Sequence, residues 1–292
     1  MRSTTHLAIT RIRIAPHAYP RVKPLVLALL SMAPWSAAPV LAVEGGQIVQ
    51  GQGDVQSNGP TTTINQQSNA LILNWANFNI APNQRVQFLQ PSSSAFALNR
   101  VLSSDPTAIF GQLLANGQIF LINPNGITFG AGAEVNVGAW VASTLDISHA
   151  DFLLRASSGQ FTFSGASNGR IVNHGAINAG HGGYVALIAK QVSNQGLLNA
   201  PRGTVALAAG ERVSLSHASG LLNVSVVGKS GAGNGTGNAG VIVQSGARIS
   251  ATNGALNVAG TRIGTGDQAI GVLVSGANSS IDSVGNGAMT GQ

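Results

Sequence analysis

The chain's 292 residues include nine acidic side chains, six histidines and no cysteine, and this inventory bounds its chemistry. Without cysteine there is no disulfide framework, thiolate zinc site or cysteine nucleophile. His174 and His181 lie close enough in sequence to meet on neighbouring turns as metal ligands, although solvated turn histidines explain them more simply. His149 and His217 stand apart from them. Asp146 and Asp151 are candidates for a carboxylate pair, the minimum for acid–base work, but a turn or helix-cap role suits each better. A glycan-cleaving groove needs several carboxylates beside Arg or Lys, and the nine acids show no such cluster. Gly228-Lys229-Ser230 resembles the end of a phosphate loop, yet Asn223 stands where that loop requires glycine. Gly235-Thr236-Gly237-Asn238-Ala239-Gly240 spells a dinucleotide fingerprint, but strand-like Val241–Val243 follows where a helix must start. A threonine-rich ice-binding face would repeat Thr-x-Thr on every coil, and only Thr61-Thr62-Thr63 comes near. These residues predict no enzyme, no cofactor and no metal.

The sharpest local signal is structural. Asn123-Pro124-Asn125-Gly126, followed by Ile127, has the residue order of a type I turn. A corner that sets the register of one coil is the first reading, ahead of direct contact with a partner. Around it, apolar runs are short and Gly, Asn or Ser separates them. Examples are Ala70–Leu73, Arg85–Leu89, Gln118–Ile122, Tyr184–Ala189, Thr204–Ala208 and Val241–Val243. Such lengths and the Val/Ile content predict strands. Ser104-Asp105-Pro106 offers a cap followed by proline, Ile109, Phe110, Leu113 and Leu114 share one helical face, and Asn116-Gly117 closes the segment. That pattern predicts one short helix over 106–115.

A repeat organises these strands. Asn173-His174-Gly175-Ala176-Ile177-Asn178-Ala179 recurs as Asn194-Gln195-Gly196-Leu197-Leu198-Asn199-Ala200, and Gly183–Ala189 recurs as Gly203–Ala209. A weaker echo joins Val241-Ile242-Val243 to Val272-Leu273-Val274. A period near twenty residues with three short strands describes one coil of a parallel β-solenoid, an all-β fold. Like residues then stack about 4.8 Å apart, so ladders of one charge would repel. The charged content of 8% agrees with this.

The net charge of +6 does not indicate nucleic-acid binding. Five of the 15 basic residues, Arg2, Arg11, Arg13, Arg21 and Lys23, fall within residues 1–42, which hold no acid. The remainder is nearly neutral, without a basic stripe or interleaved aromatics. Residues 1–42 read as a signal peptide: a basic region to Lys23, an apolar Leu25–Leu30, and Val40-Leu41-Ala42 before Val43. Cleavage is expected between Ala42 and Val43. Pro34 and Pro39 break the stretch that would otherwise serve as a membrane anchor.

One long segment resembles a known family. It runs Leu98-Asn99-Arg100-Val101-Leu102-Ser103-Ser104-Asp105-Pro106, then Ile109-Phe110-Gly111-Gln112-Leu113, then Ala115 to Gly130 through Asn123-Pro124-Asn125-Gly126-Ile127. This is similar to the N-terminal two-partner secretion (haemagglutination activity) domain of filamentous-haemagglutinin-like exoproteins. Trp75 with Phe78-Asn79-Ile80, Gln90-Pro91-Ser92-Ser93 and Val141–Ile147 also fit. The likeness covers residues 45–227. A second Asn-Pro-Asn-Leu motif, common upstream in such proteins, is absent, since Gln90-Pro91-Ser92-Ser93-Ser94 occupies that place. The resemblance implies a right-handed parallel β-helix with N-terminal capping strands. It implies export through periplasm and outer membrane of a Gram-negative bacterium, with an outer-membrane β-barrel transporter bearing periplasmic docking domains as partner. The expected layout is signal peptide 1–42, secretion domain 43–227, and a Gly-rich loop with further coils over 228–292. The expected product is a secreted or surface exoprotein, an adhesin meeting a host-cell or glycan surface. The alternatives are an exoprotein binding haem or a haem protein, and a secreted β-helical glycan-active enzyme.

Overall fold

The computed structural model describes residues 43–218, 221–227, 241–243, 248–250, 255–260, 272–274, 280–282 and 289–291. All of these belong to one compact unit, Pro39–Gln292. The chain winds as a parallel β-solenoid with three sheets. Among the described residues, sheet I has nine strands, sheet II nine and sheet III six. One coil runs Glu134–Val137 in sheet II, Ala139–Ser143 in sheet I, then Arg170–Asn173 in sheet III. The sequence repeat is the ladder itself. Asn173 pairs with Asn194, Ala176 with Leu197, and Tyr184–Ala189 with Thr204–Ala209 residue for residue. Val241–Val243 pairs with Val272–Val274.

The interior is a stack of apolar files. In sheet I, Leu71, Ala97, Ile119, Trp140, Val185, Val205 and Leu256 follow one another in register, all in the central core. Sheet II contributes Val86, Leu113, Val135, Ile177 and Leu198 in the same way. Its strands alternate buried and accessible residues, as in Arg85–Leu89 and Glu134–Val137. Sheet I does not alternate: Ala139–Ser143, Tyr184–Ala189 and Thr204–Ala209 are buried throughout. A second apolar cluster lies on their outward side, with Ile72, Leu98, Phe120, Val141 and Ala186 in one file. Two excursions cover it. One carries helix α1 (His149–Ser158) and the strand Gln160–Ser164; the other is the hairpin Arg212–Ala218/Leu221–Val227. Gln160–Ser164 and the hairpin form a three-stranded antiparallel sheet. Both excursions leave after a sheet I strand and return into sheet III.

The first coil is capped. Gln47–Gln50 runs antiparallel to Ala70–Trp75, and Gly53–Asn58 antiparallel to Thr61–Gln66. These strands take up the edges of sheets I and II that a bare solenoid would leave open.

The helix expected over 106–115 is not there. Thr107–Ile109 is a strand of sheet III and Gln112–Ala115 a strand of sheet II, each paired in parallel with the next coil. Ile109 and Leu113 sit four apart because each is the inward residue of its own strand across a tight corner, not because they share a helical face. Phe110, at the corner, is exposed. A ten-residue helix is marginal alone, and ladder bonds to neighbouring coils outweigh it. Gly111 is required at the corner, since a Cβ there would lie 2.2 Å from the Ala81 carbonyl oxygen. The helix occurs instead at His149–Ser158, where the Ser148 hydroxyl accepts from Asp151 N (3.0 Å) and donates to Asp151 Oδ2 (2.8 Å), closing its first turn.

Candidate functional site

Asn123–Ile127 forms the corner between a sheet I strand, Gln118–Ile122, and a sheet III strand, Ile127–Phe129. Gly126 N donates to Asn123 O at 3.1 Å, closing the expected turn. Pro124 and Asn125 are exposed, whereas Asn123 is fully buried and saturated. Its Oδ1 accepts from Asn125 N at 3.0 Å. Its Nδ2 donates backwards to Asp105 O (2.9 Å) and Thr107 Oγ1 (3.0 Å) on the preceding coil. Its backbone N donates forwards to Ser143 O at 3.0 Å. Asn125 Nδ2 adds a bond to Ser103 O at 2.9 Å. Gly126 has φ +115°, where glycine is favoured, and its carbonyl accepts from Thr107 N at 3.0 Å. Ile127 enters the core.

The corner also receives the first excursion as it returns. Ser167 Oγ donates to Pro124 O at 2.6 Å and accepts from Gly169 N at 2.9 Å. A Cβ on Gly169 would stand 2.5 Å from Pro124 O and 2.8 Å from Gly126 N, so glycine alone permits this approach. One motif thus fixes its own turn, the coil before it and the point where the chain re-enters sheet III.

Three further positioning groups escaped the sequence reading. Arg100, on the outward face of sheet I, donates to Asp146 Oδ1 (2.9 Å) and Ile147 O (2.6 Å), and its Nη1 lies 2.8 Å from His149 Nε2. It ties down the root of the first excursion. A lone arginine in the apolar strand Phe96–Val101 was the available signal. Asn99, its inward neighbour, accepts from Trp75 Nε1 at 2.9 Å in the core. Gln90 is a second corner pin: Oε1 accepts from Gly117 N (2.9 Å), and Nε2 donates to Gln66 Oε1 (3.0 Å).

The other candidates are placed apart. Asp146 pairs with Arg100 while the Asp151 carboxylate accepts from the capping Ser148 hydroxyl in the first turn of α1, so the two carboxylates do separate work. His174 lies at the corner between sheets III and II and His181 at that between II and I, both exposed. Among the described residues, no three His, Cys, Asp or Glu side chains gather as a metal site. The His217 side chain, Gly228-Lys229-Ser230 and Gly235–Gly240 lie outside the described residues, as does Ala42. Val43 is buried in the central core, and Glu44 N donates to Asn77 O. Open grooves of about 360 to 430 Å³ run along the corner of sheets II and I, with Asn116 common to them. No helix of the described residues is long and apolar enough to cross a membrane.

A capped parallel solenoid, indexed at one asparagine corner and dressed on one face by external strands, defines the class of molecule. The chain belongs to the TPS secretion domain family, the two-partner secretion domain, whose model matches residues 40–287. It superposes on the HMW1 secretion domain from Haemophilus influenzae with TM-score 0.59 and 29% identity, covering 85% of this chain and 66% of that one. The filamentous haemagglutinin secretion domain shares the fold, with TM-score 0.50 and 15% identity over 85% of this chain and 95% of that one. A curated relative, the heme/hemopexin-binding protein of Haemophilus influenzae, is 30% identical over 189 residues, 63% of this chain. The alignment spans 21% of that relative's length. A second Haemophilus influenzae protein of that name is 41% identical over 85 residues, 29% of this chain and 9% of the relative. Proteins of this family are exported from Gram-negative bacteria, with an outer-membrane transporter as the general kind of partner.

Proposed function

We propose that this chain is the export and folding module of a secreted exoprotein, an adhesin, with residues 1–42 cleaved after Ala42, residues 43–227 forming the secretion domain and residues 228–292 adding a loop and further coils. The observation that carries this reading is the family match over residues 40–287. The transporter's periplasmic domains capture strands such as Asn69–Asn74 and Gln118–Ile122 before their coils close. Main-chain bonds supply affinity and alternate side chains specificity. Coils that stack as the chain emerges then bias its movement outward. In this reading Asn123–Ile127 acts through folding: it sets the register that lets the next coil form. Asn125→Val in the full chain is expected to lower secretion through the cognate transporter more than it lowers solubility, and unchanged secretion removes the motif's role. Pro in place of Ile119 or Leu121 deletes a ladder donor and is expected to weaken capture of the unfolded chain. N-terminal sequencing of the exported product is expected to begin at Val43.

A second reading, a haem or haem-protein cargo, draws on the name of the curated relatives. A Soret band on haem titration of the full chain would support it, and a flat titration would remove direct haem binding.

A further inference from the structure

The expected cleavage site adjoins a buried residue. Val43 is 3% exposed and belongs to the central core with Trp75 and Phe78. The residues after it are bonded to the first coil. Glu44 N donates to Asn77 O at 3.2 Å, and Ala76 N donates to Glu44 O at 2.9 Å. Asn77 Nδ2 donates to Glu44 Oε2 at 2.7 Å. Gly45 has φ +72°, and a Cβ there would lie 2.9 Å from Ala76 Cβ. A Cβ on Gly46 would lie 2.5 Å from the Trp75 ring. Gln47–Gln50 carries the pairing on along Ala70–Trp75. Residues 43–50 thus lie along residues 70–77. A peptidase that reads its substrate as an added strand needs free main chain on both sides of the bond it cuts. Beyond Ala42 the seated chain offers none: the Val43 side chain is in the core, and the Glu44 main chain is taken by Asn77 and Ala76.

We propose that closure of the N-terminal cap gates processing: seating of Val43–Gly46 on Trp75–Asn77 hides the Ala42–Val43 bond, so a signal peptidase must cut before the cap closes. This rests on the cleavage reading above and adds its timing. Cleavage adds water across the bond and leaves a carboxylate on Ala42 and an amine on Val43. Chain order favours the sequence of events. Asn77 lies 33 residues beyond Glu44, so a chain exported N-terminus first presents the bond before the segment that hides it. A precursor that caps first keeps its signal segment. The open cap also leaves Ala70–Trp75 unpaired on its outer edge, the state in which a transporter captures that strand.

The test incubates the full chain, in detergent micelles, with a purified signal peptidase and follows the product by mass and N-terminal sequencing. Chain diluted from urea is expected to be cut to a product that begins at Val43. Chain allowed to fold first is expected to be cut ~100-fold more slowly, because cleavage tracks the population of the open form. Gly45→Val sets a β-branched residue at positive φ against Ala76. Folded Gly45→Val is expected to be cut ~10-fold faster than folded wild type. Circular dichroism checks that the solenoid persists; Gly46→Ala, which presses on the Trp75 ring, replaces Gly45→Val if it does not. If urea-diluted wild type stays uncut, or its product begins elsewhere, the cleavage reading falls and the gate with it. If that chain is cut at Val43 and folded wild type is cut equally fast, the gate alone is wrong. If the folded variant resists as wild type does while its urea-diluted form is cut normally, something other than the cap hides the bond and the proposal is overturned.

Discussion

Sheets I and II wind through the same coils yet carry different sequences. Sheet II strands such as Ala176–Ala179 alternate, with Ile177 buried and Asn178 at the surface. Sheet I strands such as Tyr184–Ala189 bury every residue. The difference is one of neighbours. Sheet II has core on one side and water on the other, where Asn178 Nδ2 donates to Asn136 Oδ1 at 2.9 Å along an amide ladder. Sheet I has core on both sides, because the excursions supply the second. An apolar run in a parallel sheet reports two covered faces, an alternating run one. In this chain the run also marks a face covered by residues distant in sequence.

Five substitutions at four positions break or sharpen that contrast, read as urea-unfolding midpoints of the full chain. Phe120→Ala on the covered face of sheet I is expected to destabilise by about 4 kcal/mol, through lost transfer energy and a cavity beneath Phe152 and Phe161. A loss under about 1 kcal/mol, the scale of a surface change, would show that the cover contributes little. Asn123→Ala comes next, at about 3 kcal/mol, because it strands the buried Thr107 hydroxyl and the Asp105 carbonyl. Asn123→Asp is expected to be nearly as damaging, since a carboxylate cannot donate to either; wild-type stability in Asn123→Asp would contradict the bonding pattern. Gly169→Ala is expected to cost about 2 kcal/mol, because backbone of the corner must shift. Its diagnostic is increased protease cleavage within 144–169 while the cap region stays resistant. The smallest effect is Asn178→Ala on the half-buried outward ladder of sheet II, within about 0.5 kcal/mol. A large loss there would mean that the amide ladder, rather than the packed files, holds sheet II together.

Much of this architecture is legible in residue order. Arg85–Leu89, Gln118–Ile122, Tyr184–Ala189 and Val241–Val243 are strands with the bounds their apolar runs suggest. The duplicated Asn-x-Gly segments pair across adjacent coils, as a period near twenty predicts. The corner at Asn123–Gly126 closes as its residue types require. Two signals misled. Ser104-Asp105-Pro106 has the form of a helix start, but Asp105 O and Thr107 are bonded to Asn123, a partner from the next coil. Asp151 by itself reads as a turn or cap residue, which hides Ser148-x-x-Asp151, the true helix start.

Residue types, spacing and repeat alone determine the strand lengths, the coil period, the turn at Asn123 and the near-neutral body, because each depends on contacts within one coil or on a pattern copied between coils. Tertiary structure decides the rest. Only the wound chain shows that residues 107–115 are two strands, that Arg100 anchors Asp146 and His149, that Ser167 and Gly169 land on Pro124, and that a helix and a hairpin cover sheet I. These contacts join residues from about 20 positions apart, as Thr107 and Ile127, to 49 apart, as Arg100 and His149, and no local pattern encodes them. The ladder and the buried apolar files decide between locally equivalent choices, since a ten-residue segment has too little helix energy to resist them.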